Sequence, residues 1–352
     1  MSRRVVLWVI PVGDLGGVAR HALDVARESI PGWDIVFLVP DGTIATALLA
    51  LGATVDVAAI GPKVGVKTSL RAMRQALKRW QPAVVHTHLA YADLLGAITK
   101  PTYGTALVTT EHGIADDDLI YHRSSAKSAV SARMHRLRLQ RVDSFIAVAE
   151  ATLEVARRKW ALRPGLPARV IYNGIDRPAT VEPEAGLHVV SLARFAPEKR
   201  LDSLVRGFAT LSRTHPEATL TLAGIGPLRE QTESQVAALG LSGRVSFPGY
   251  VDAAELLQRA HVLAQLSVFE NCSYSLLDAV VHGVGVVASP VGGNPEILPS
   301  ECLVDPHDAD SVAAHLAVQG LDLGHRPTLD PRWPTVAEMT ADIAKVYEEV
   351  AP

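Results

Sequence analysis

Short β-branched runs alternate with amphipathic stretches along most of this chain, and the alternation restarts after one break near its middle. Residues 5–10, 35–39, 54–57, 83–86, 107–110, 144–148 and 169–171 read as strands, with helical patterns such as 18–27 and 70–79 between them. That rhythm predicts parallel strands joined by crossover helices. It pauses at Tyr172-Asn173-Gly174-Ile175-Asp176-Arg177-Pro178 and a stretch holding Pro183 and Gly186, whose turn residues suit a hinge. It resumes with 188–192, 219–223, 245–247, 262–264, 286–288 and 302–304. Two open α/β domains are expected, residues 1–177 and 178–334, each binding ligands beyond the carboxyl ends of its strands.

Length agrees with two cores, since 352 residues exceed the usual single-core size. A hydrophobic share of 48% and a charged share of 20% are those of an ordinary globular protein. The net charge of -3 lacks the basic excess that nucleic-acid binding needs, so no nucleic-acid partner is expected. Cys272 and Cys302 make neither a disulfide framework nor a metal pattern, which fits a cytoplasmic setting. The apolar start is short and runs into Gly13-Asp14-Leu15-Gly16-Gly17 without a small-residue cleavage site, so it reads as a buried strand and not a signal peptide. No stretch approaches the ~20 apolar residues of a membrane span.

Two segments carry the clearest chemistry. Arg194 and Lys199 lie five apart at the end of an apolar run, and Glu270 and Asp278 frame the start of a helical pattern. A planar cation and a compact one suit a diphosphate, while carboxylates suit sugar hydroxyls. Together they read as a nucleotide-sugar site. Gly16 and Gly17 follow the first strand and open a helix, where backbone can approach an anion. The arrangement is neither a dinucleotide fingerprint nor a P-loop. His86, His88 and His112 end two strands; hydrogen bonding and proton transfer suit them, with a metal as the minor alternative, and for His86 and His88 the favoured reading is satisfied strand-end histidines.

The order and spacing of these segments resemble the retaining glycosyltransferases of family 4. The likeness spans nearly the whole chain, with its specific motifs between Asn173 and Glu296. It implies the GT-B fold: two Rossmann-like domains with parallel sheets facing a central cleft, an acceptor domain followed by a donor domain. A C-terminal helix at about 335–352 packs back on the first domain in many members. By resemblance the Gly16–Gly17 loop approaches donor phosphates and acceptor, His112 lies near the donor sugar, and His88 stands on the acceptor side. Arg194 and Lys199 hold the diphosphate, the Gly224 loop borders it, and the loop holding Tyr250 meets the base. Glu270 contacts sugar hydroxyls, and amides of Asn271, Cys272, Ser273, Tyr274 and Ser275 face the sugar at a helix start. Asp278 stands where the family holds ribose with Glu, one methylene longer. Asn271-Cys272-Ser273 likewise departs from the common Gly-Phe-Gly turn.

The implied activity is a retaining hexosyltransferase that uses a nucleoside diphosphate sugar, UDP by base rate, and a hydroxyl acceptor that is a small molecule or lipid-linked. Its setting would be cell-envelope glycan or natural-product glycoside synthesis. No metal and no cofactor beyond the donor are expected. The competing readings are an epimerase or phosphorylase-like GT-B protein and a catalytically silent subunit that binds sugar nucleotides. A glycosidase is disfavoured because it has no need of Arg194 and Lys199. Asp116-Asp117-Asp118 reads as a solvated loop before a metal motif. The stretch 122–141 carries Arg123, Lys127, Arg133, Arg136, Arg138 and Arg141, with Val130, Met134 and Leu137 at helical spacing. A solvated basic face that packs those three apolar residues is favoured over a membrane-surface helix, so membrane association is peripheral at most.

Overall fold

A computed structural model describes residues 4–114, 135–179 and 182–351, apart from the side chain of Pro101. The chain divides into two compact units, residues 1–174 with 334–352, and residues 175–333. Asp116, Asp117 and Asp118, and the basic stretch as far as Met134, lie outside the described residues.

The first unit is built on β1 (Arg4–Val9), β2 (Trp33–Val39), β3 (Thr54–Val57), β4 (Val84–His88), β5 (Ala106–Glu111), β6 (Ser144–Ala147) and β7 (Ala168–Val170). Their order in the sheet is β3-β2-β1-β4-β5-β6-β7, and every pairing is parallel. Helices α1 (Gly17–Glu28), α2 (Thr43–Ala50), α3 (Val66–Trp80) and α4 (Ala90–Tyr103) make the first four crossovers. Side chains alternate across a strand, so Val6 and Trp8 enter one core and Leu7 and Val9 the other. This explains the unbroken apolar run of β1: both faces of the sheet are covered.

The helix Val336–Val350 belongs to this unit. Thr335 and Glu338 form a reciprocal capping box at its start. Val336, Met339, Ile343, Val346 and Tyr347 join Trp8, Ile10 and Phe37 in one core, each contributing on the order of 1.5–3 kcal/mol by burial. Polar pins add direction. Tyr347 Oη accepts from Trp8 Nε1 at 2.9 Å, and Glu348 pairs with Arg4 and accepts from Trp33.

The second unit holds β8 (His188–Leu192), β9 (Thr219–Ala223), β10 (Val245–Gly249), β11 (Val262–Gln265) and β12 (Gly285–Ala288). The order is β10-β9-β8-β11-β12, again all parallel. In both sheets the order of succession reverses at one seam, between β1 and β4 and between β8 and β11. A crevice opens beyond the strand ends at such a seam.

Two expectations need correction. Residues 302–304 form no strand: Leu303 makes a single bridge to Ala288, after a 3₁₀ turn Ser300–Cys302. Pro299 and Pro306 bracket the run and cannot donate to a ladder. After β8 a 3₁₀ turn Pro197–Lys199 leads, through Arg200 at φ 47°, into the α-helix that starts at Leu201.

The second correction concerns the basic stretch, which is not uniformly a solvated face. Arg138 is buried and pairs with Asp93 and Glu111, whereas Leu137, assigned to packing, is 61% exposed. Helical spacing alone does not say which stripe faces the domain.

Candidate active site

In the first unit the seam joins the loop after β1 to the end of β4. Gly16 is extended and caps α1, and a Cβ added to Gly16 or Gly17 would meet nothing within 4 Å. Packing does not demand glycine at either place. What their absence of side chain does is leave the first amides of α1 open to approach. At the end of β4, Leu89 takes φ 75° directly after His88. A branched side chain in that region is strained, and such strain gathers at functional sites.

The histidines gather at this seam, joined by one the sequence reading missed. His21, on α1, hydrogen-bonds Asn173 and lies with its ring 5.0 Å from that of His112. His88 Nδ1 and His112 Nε2 share a hydrogen bond of 2.8 Å. His86 is held separately, between Tyr347 Oη at 2.5 Å and Thr110 Oγ1 at 2.7 Å. Burial lowers His21 to about 4 and holds His86, His88 and His112 well below the ordinary imidazole value. These rings are therefore neutral near pH 7. His112 alone among the four is partly exposed, and His88 stands fully enclosed behind it. A direct acceptor contact by His88 does not follow from this placement; its reach is through His112. His21 was legible as a polar residue on the buried stripe of α1 beside Ala22 and Val25.

The His112 loop has its own support. Glu111, at the end of β5, accepts from Gly113 N at 3.3 Å and from Arg138 Nη2 at 3.2 Å. Arg138 also pairs with Asp93 and lies over the Trp160 ring. Burial raises the Glu111 carboxyl to about 8 against the opposing Gly113 amide, so it holds a proton near neutrality. Arg138 is pulled down to about 9 by burial and remains charged, neutralised by Asp93.

In the second unit the seam lies between the loops after β8 and β11. Arg194 pairs with Glu198 and keeps its side chain 63% exposed. Lys199 Nζ meets Glu270 Oε1 at 2.5 Å, and Val268 N donates to Glu198 O at 2.8 Å, so the two loops are stitched twice. Gly224 has φ 142°, and a Cβ there would stand 2.0 Å from the Ala193 carbonyl. Only glycine lets this loop lie against the strand end that bears Arg194. Gly292 does the same for the acid: φ 52°, with a Cβ at 1.7 Å from Glu270 O. Gly292 thus shapes the backbone under Glu270, a role sequence spacing did not reveal.

The segment after Glu270 turns into the helix Tyr274–Val281, with Ser273 as its cap accepting from Leu276 N at 3.4 Å. Gln265, at the end of β11, donates to the Ser273 hydroxyl at 2.9 Å. Ser273 is thus held by structure, and its side chain is committed. Asn271, Cys272 and Tyr274 are buried, Ser275 is half-buried and Asp278 lies buried one turn into the helix. Tyr250 is 66% exposed beyond β10. Arg194, Lys199, Gly224, Glu270 and the 271–278 segment therefore follow strands at or next to one seam, whereas Tyr250 follows the edge strand β10.

Comparison with known proteins follows these two units. Residues 174–318 match the family Glycosyl transferases group 1, and residues 15–177 match Glycosyltransferase Family 4. The chain is a glycosyltransferase of GT-B fold. This glycosyltransferase is 28% identical over 295 residues to a phosphatidylinositol N-acetylglucosaminyltransferase component from Arabidopsis thaliana; the match takes in 79% of the chain and 62% of that relative's length. To the glycogen synthase of Mycobacterium tuberculosis it is 26% identical, over 96% of the chain and 93% of that protein. The fold of the glycosyltransferase is also that of Anabaena HepE, solved with UDP and glucose, at TM-score 0.77 and 19% identity over 99% of the chain and 95% of HepE.

Proposed function

We propose that this protein is a retaining glycosyltransferase that moves a hexosyl group from a nucleoside diphosphate sugar, UDP-linked in the favoured form, to a hydroxyl acceptor. The observation that carries the reading is the stitched pair of loops in the second unit, where Lys199 pairs with Glu270 and Arg194 pairs with Glu198 on the loop that holds Lys199. On donor binding the diphosphate takes the place of Glu198 and Glu270 as partner of the two cations. The leaving phosphate then departs onto preorganised positive charge, which lowers the barrier as the glycosyl bond breaks. Glu270, released from Lys199, accepts from sugar hydroxyls, and Asp278 accepts from ribose.

His112 is neutral, so it offers the sugar a hydrogen bond without a competing charge; His88 fixes its orientation through their shared proton. The mechanism is front-face: the diphosphate runs ahead, the acceptor attacks the same face, and a phosphate oxygen receives the acceptor proton. No metal and no further cofactor take part. Cell-envelope glycan or natural-product glycoside synthesis is the setting that fits, in the cytoplasm or at the inner face of a membrane. HepE, solved with UDP-glucose, lends support for the donor class.

The test is turnover of a radiolabelled panel of nucleoside diphosphate sugars with hydroxyl acceptors, with the product anomer assigned by NMR. Transfer with retained configuration is expected. An inverted product would remove the front-face mechanism. Conversion of donor alone to an epimer would replace transfer with epimerisation, and tight donor binding without turnover would leave a silent binding subunit.

A further inference from the structure

Helix α3 carries Lys67, Arg71, Arg74 and Lys78 at spacings of four, three and four, which sets them in one row on a single face. All four are exposed, and among the described residues none forms an ion pair. The opposite face, Ser69, Ala72, Met73, Ala76 and Leu77, is buried, so the row cannot turn away from solvent. Such a row works against the helix that bears it. Like charges three and four apart disfavour helix, and Lys67 stands in the first turn, where the backbone already presents positive charge. The chain as a whole is net negative at -3, so this concentration is not the spill-over of a basic composition.

Together with Tyr103 from the end of α4, the row lines a shallow groove of about 310 Å³. From Lys67 to Lys78 it runs about 16 Å along the helix, longer than one phosphate can neutralise. Just before it, Val64 and Val66 expose apolar side chains at 42% and 40%. Extended positive charge flanked by exposed apolar groups matches a surface that is itself extended, negative and apolar beneath.

We propose that the α3 face docks on an anionic membrane surface. The row supplies attraction to lipid phosphates, and Val64 and Val66 enter the headgroup boundary. No helix among the described residues is long and apolar enough to cross a membrane, so this contact is peripheral. The inference stands apart from the sugar-transfer reading, because it concerns none of the residues at either seam.

Co-sedimentation of the full chain with vesicles tests it, comparing phosphatidylcholine alone with phosphatidylcholine containing phosphatidylglycerol. Binding is expected only to the anionic vesicles and should fall as salt is raised. Each neutralisation in the series Lys67→Gln, Arg71→Gln, Arg74→Gln and Lys78→Gln should weaken it about five-fold. Arg213→Gln with Arg259→Gln, an equal kind of charge loss elsewhere, should leave binding unchanged. Binding that survives all four substitutions, or that is equal on neutral vesicles, would overturn the proposal. So would displacement by inorganic phosphate at a single saturable site, or by duplex DNA in preference to vesicles. Should the fourfold variant unfold, the single variants and the salt dependence of the native chain decide the matter.

Discussion

The Lys199 ammonium lies 2.5 Å from Glu270 Oε1, with both side chains largely withdrawn from water at 24% and 14% exposure. Two groups assigned to different parts of one substrate thus neutralise each other. Neither charge need stand uncompensated in a half-buried place, and the donor has to exchange this pair for its own contacts.

Lys199→Ala should lower turnover by about 10²-fold or more, the scale of losing one preorganised charge-stabilising donor, and Arg194→Ala should do the same. Glu270→Ala should abolish transfer while leaving affinity for the free nucleoside diphosphate intact or raised, since Lys199 is then released. Steady-state rates and calorimetric titration with UDP measure the two effects. Folded Lys199 and Arg194 variants within a few-fold of the native rate would contradict the assignment.

Asp278→Ala should weaken binding of the free nucleoside diphosphate by about 10- to 100-fold, as expected for hydrogen bonds to a charged group worth about 1.5–3 kcal/mol. Asp278→Glu should retain binding, since the acid is kept and its reach extended. Titration calorimetry reads both, and unchanged affinity in the Ala variant would mean that ribose is held elsewhere.

Gly292→Ala tests the backbone beneath Glu270. Its φ of 52° and the approach to Glu270 O leave no place for a methyl group. A shift of the loop should cost about 1–3 kcal/mol of stability and reduce transfer together with it. Thermal melting should fall by several degrees, at roughly 2–4 °C for each kcal/mol in a unit of this size. An unchanged melting temperature and rate would show that the close approach is dispensable.

The buried histidines and Glu111 pull stability in opposite directions with pH. His21 titrates at about 4 in the folded chain and at 6.5 unfolded, so between those values the unfolded chain binds more protons and stability rises with pH. The change is on the order of 3 kcal/mol. Glu111, raised from 4.5 to about 8, has the reverse slope: the folded chain keeps the proton, and stability falls as pH rises through that window. His21→Gln should therefore flatten the gain on going from about pH 4 to 6.5, and Glu111→Gln should remove the loss toward pH 8. Melting temperature against pH for the three proteins checks both signs.

Transfer should survive a strong chelator, because Arg194 and Lys199 supply the charge that a metal supplies in other nucleotide-sugar enzymes. Rates before and after EDTA treatment, with magnesium or manganese added back, decide this. Activity lost to the chelator and regained with the ion would redirect attention to Asp116 and Asp118, and to His21, His88 and His112, whose ring nitrogens approach within 4.8 Å of one another.

The βα rhythm, most strand positions and the seam residues that directly follow strands were legible in the sequence, because each depends on neighbours a few places away; His21, on a helix, was missed. Residues 188–192 must be a strand for local reasons, and Arg194 must follow it. Partnership across the chain was not legible. That Val336–Val350 lies on the first sheet depends on Trp8 and His86 receiving Tyr347 from more than two hundred residues away. That Arg138 is buried and Leu137 exposed depends on Asp93 offering a charge and Glu111 a hydrogen-bond acceptor on one side of a short helical turn. The pairing of Lys199 with Glu270, and the glycine at 292 that makes room for it, likewise exist only once β8, β11 and β12 lie side by side. Sequence by itself determined the elements and the chemical groups at their ends; the tertiary structure decided their partners, because burial and charge compensation are settled by whatever the folded sheet brings within reach.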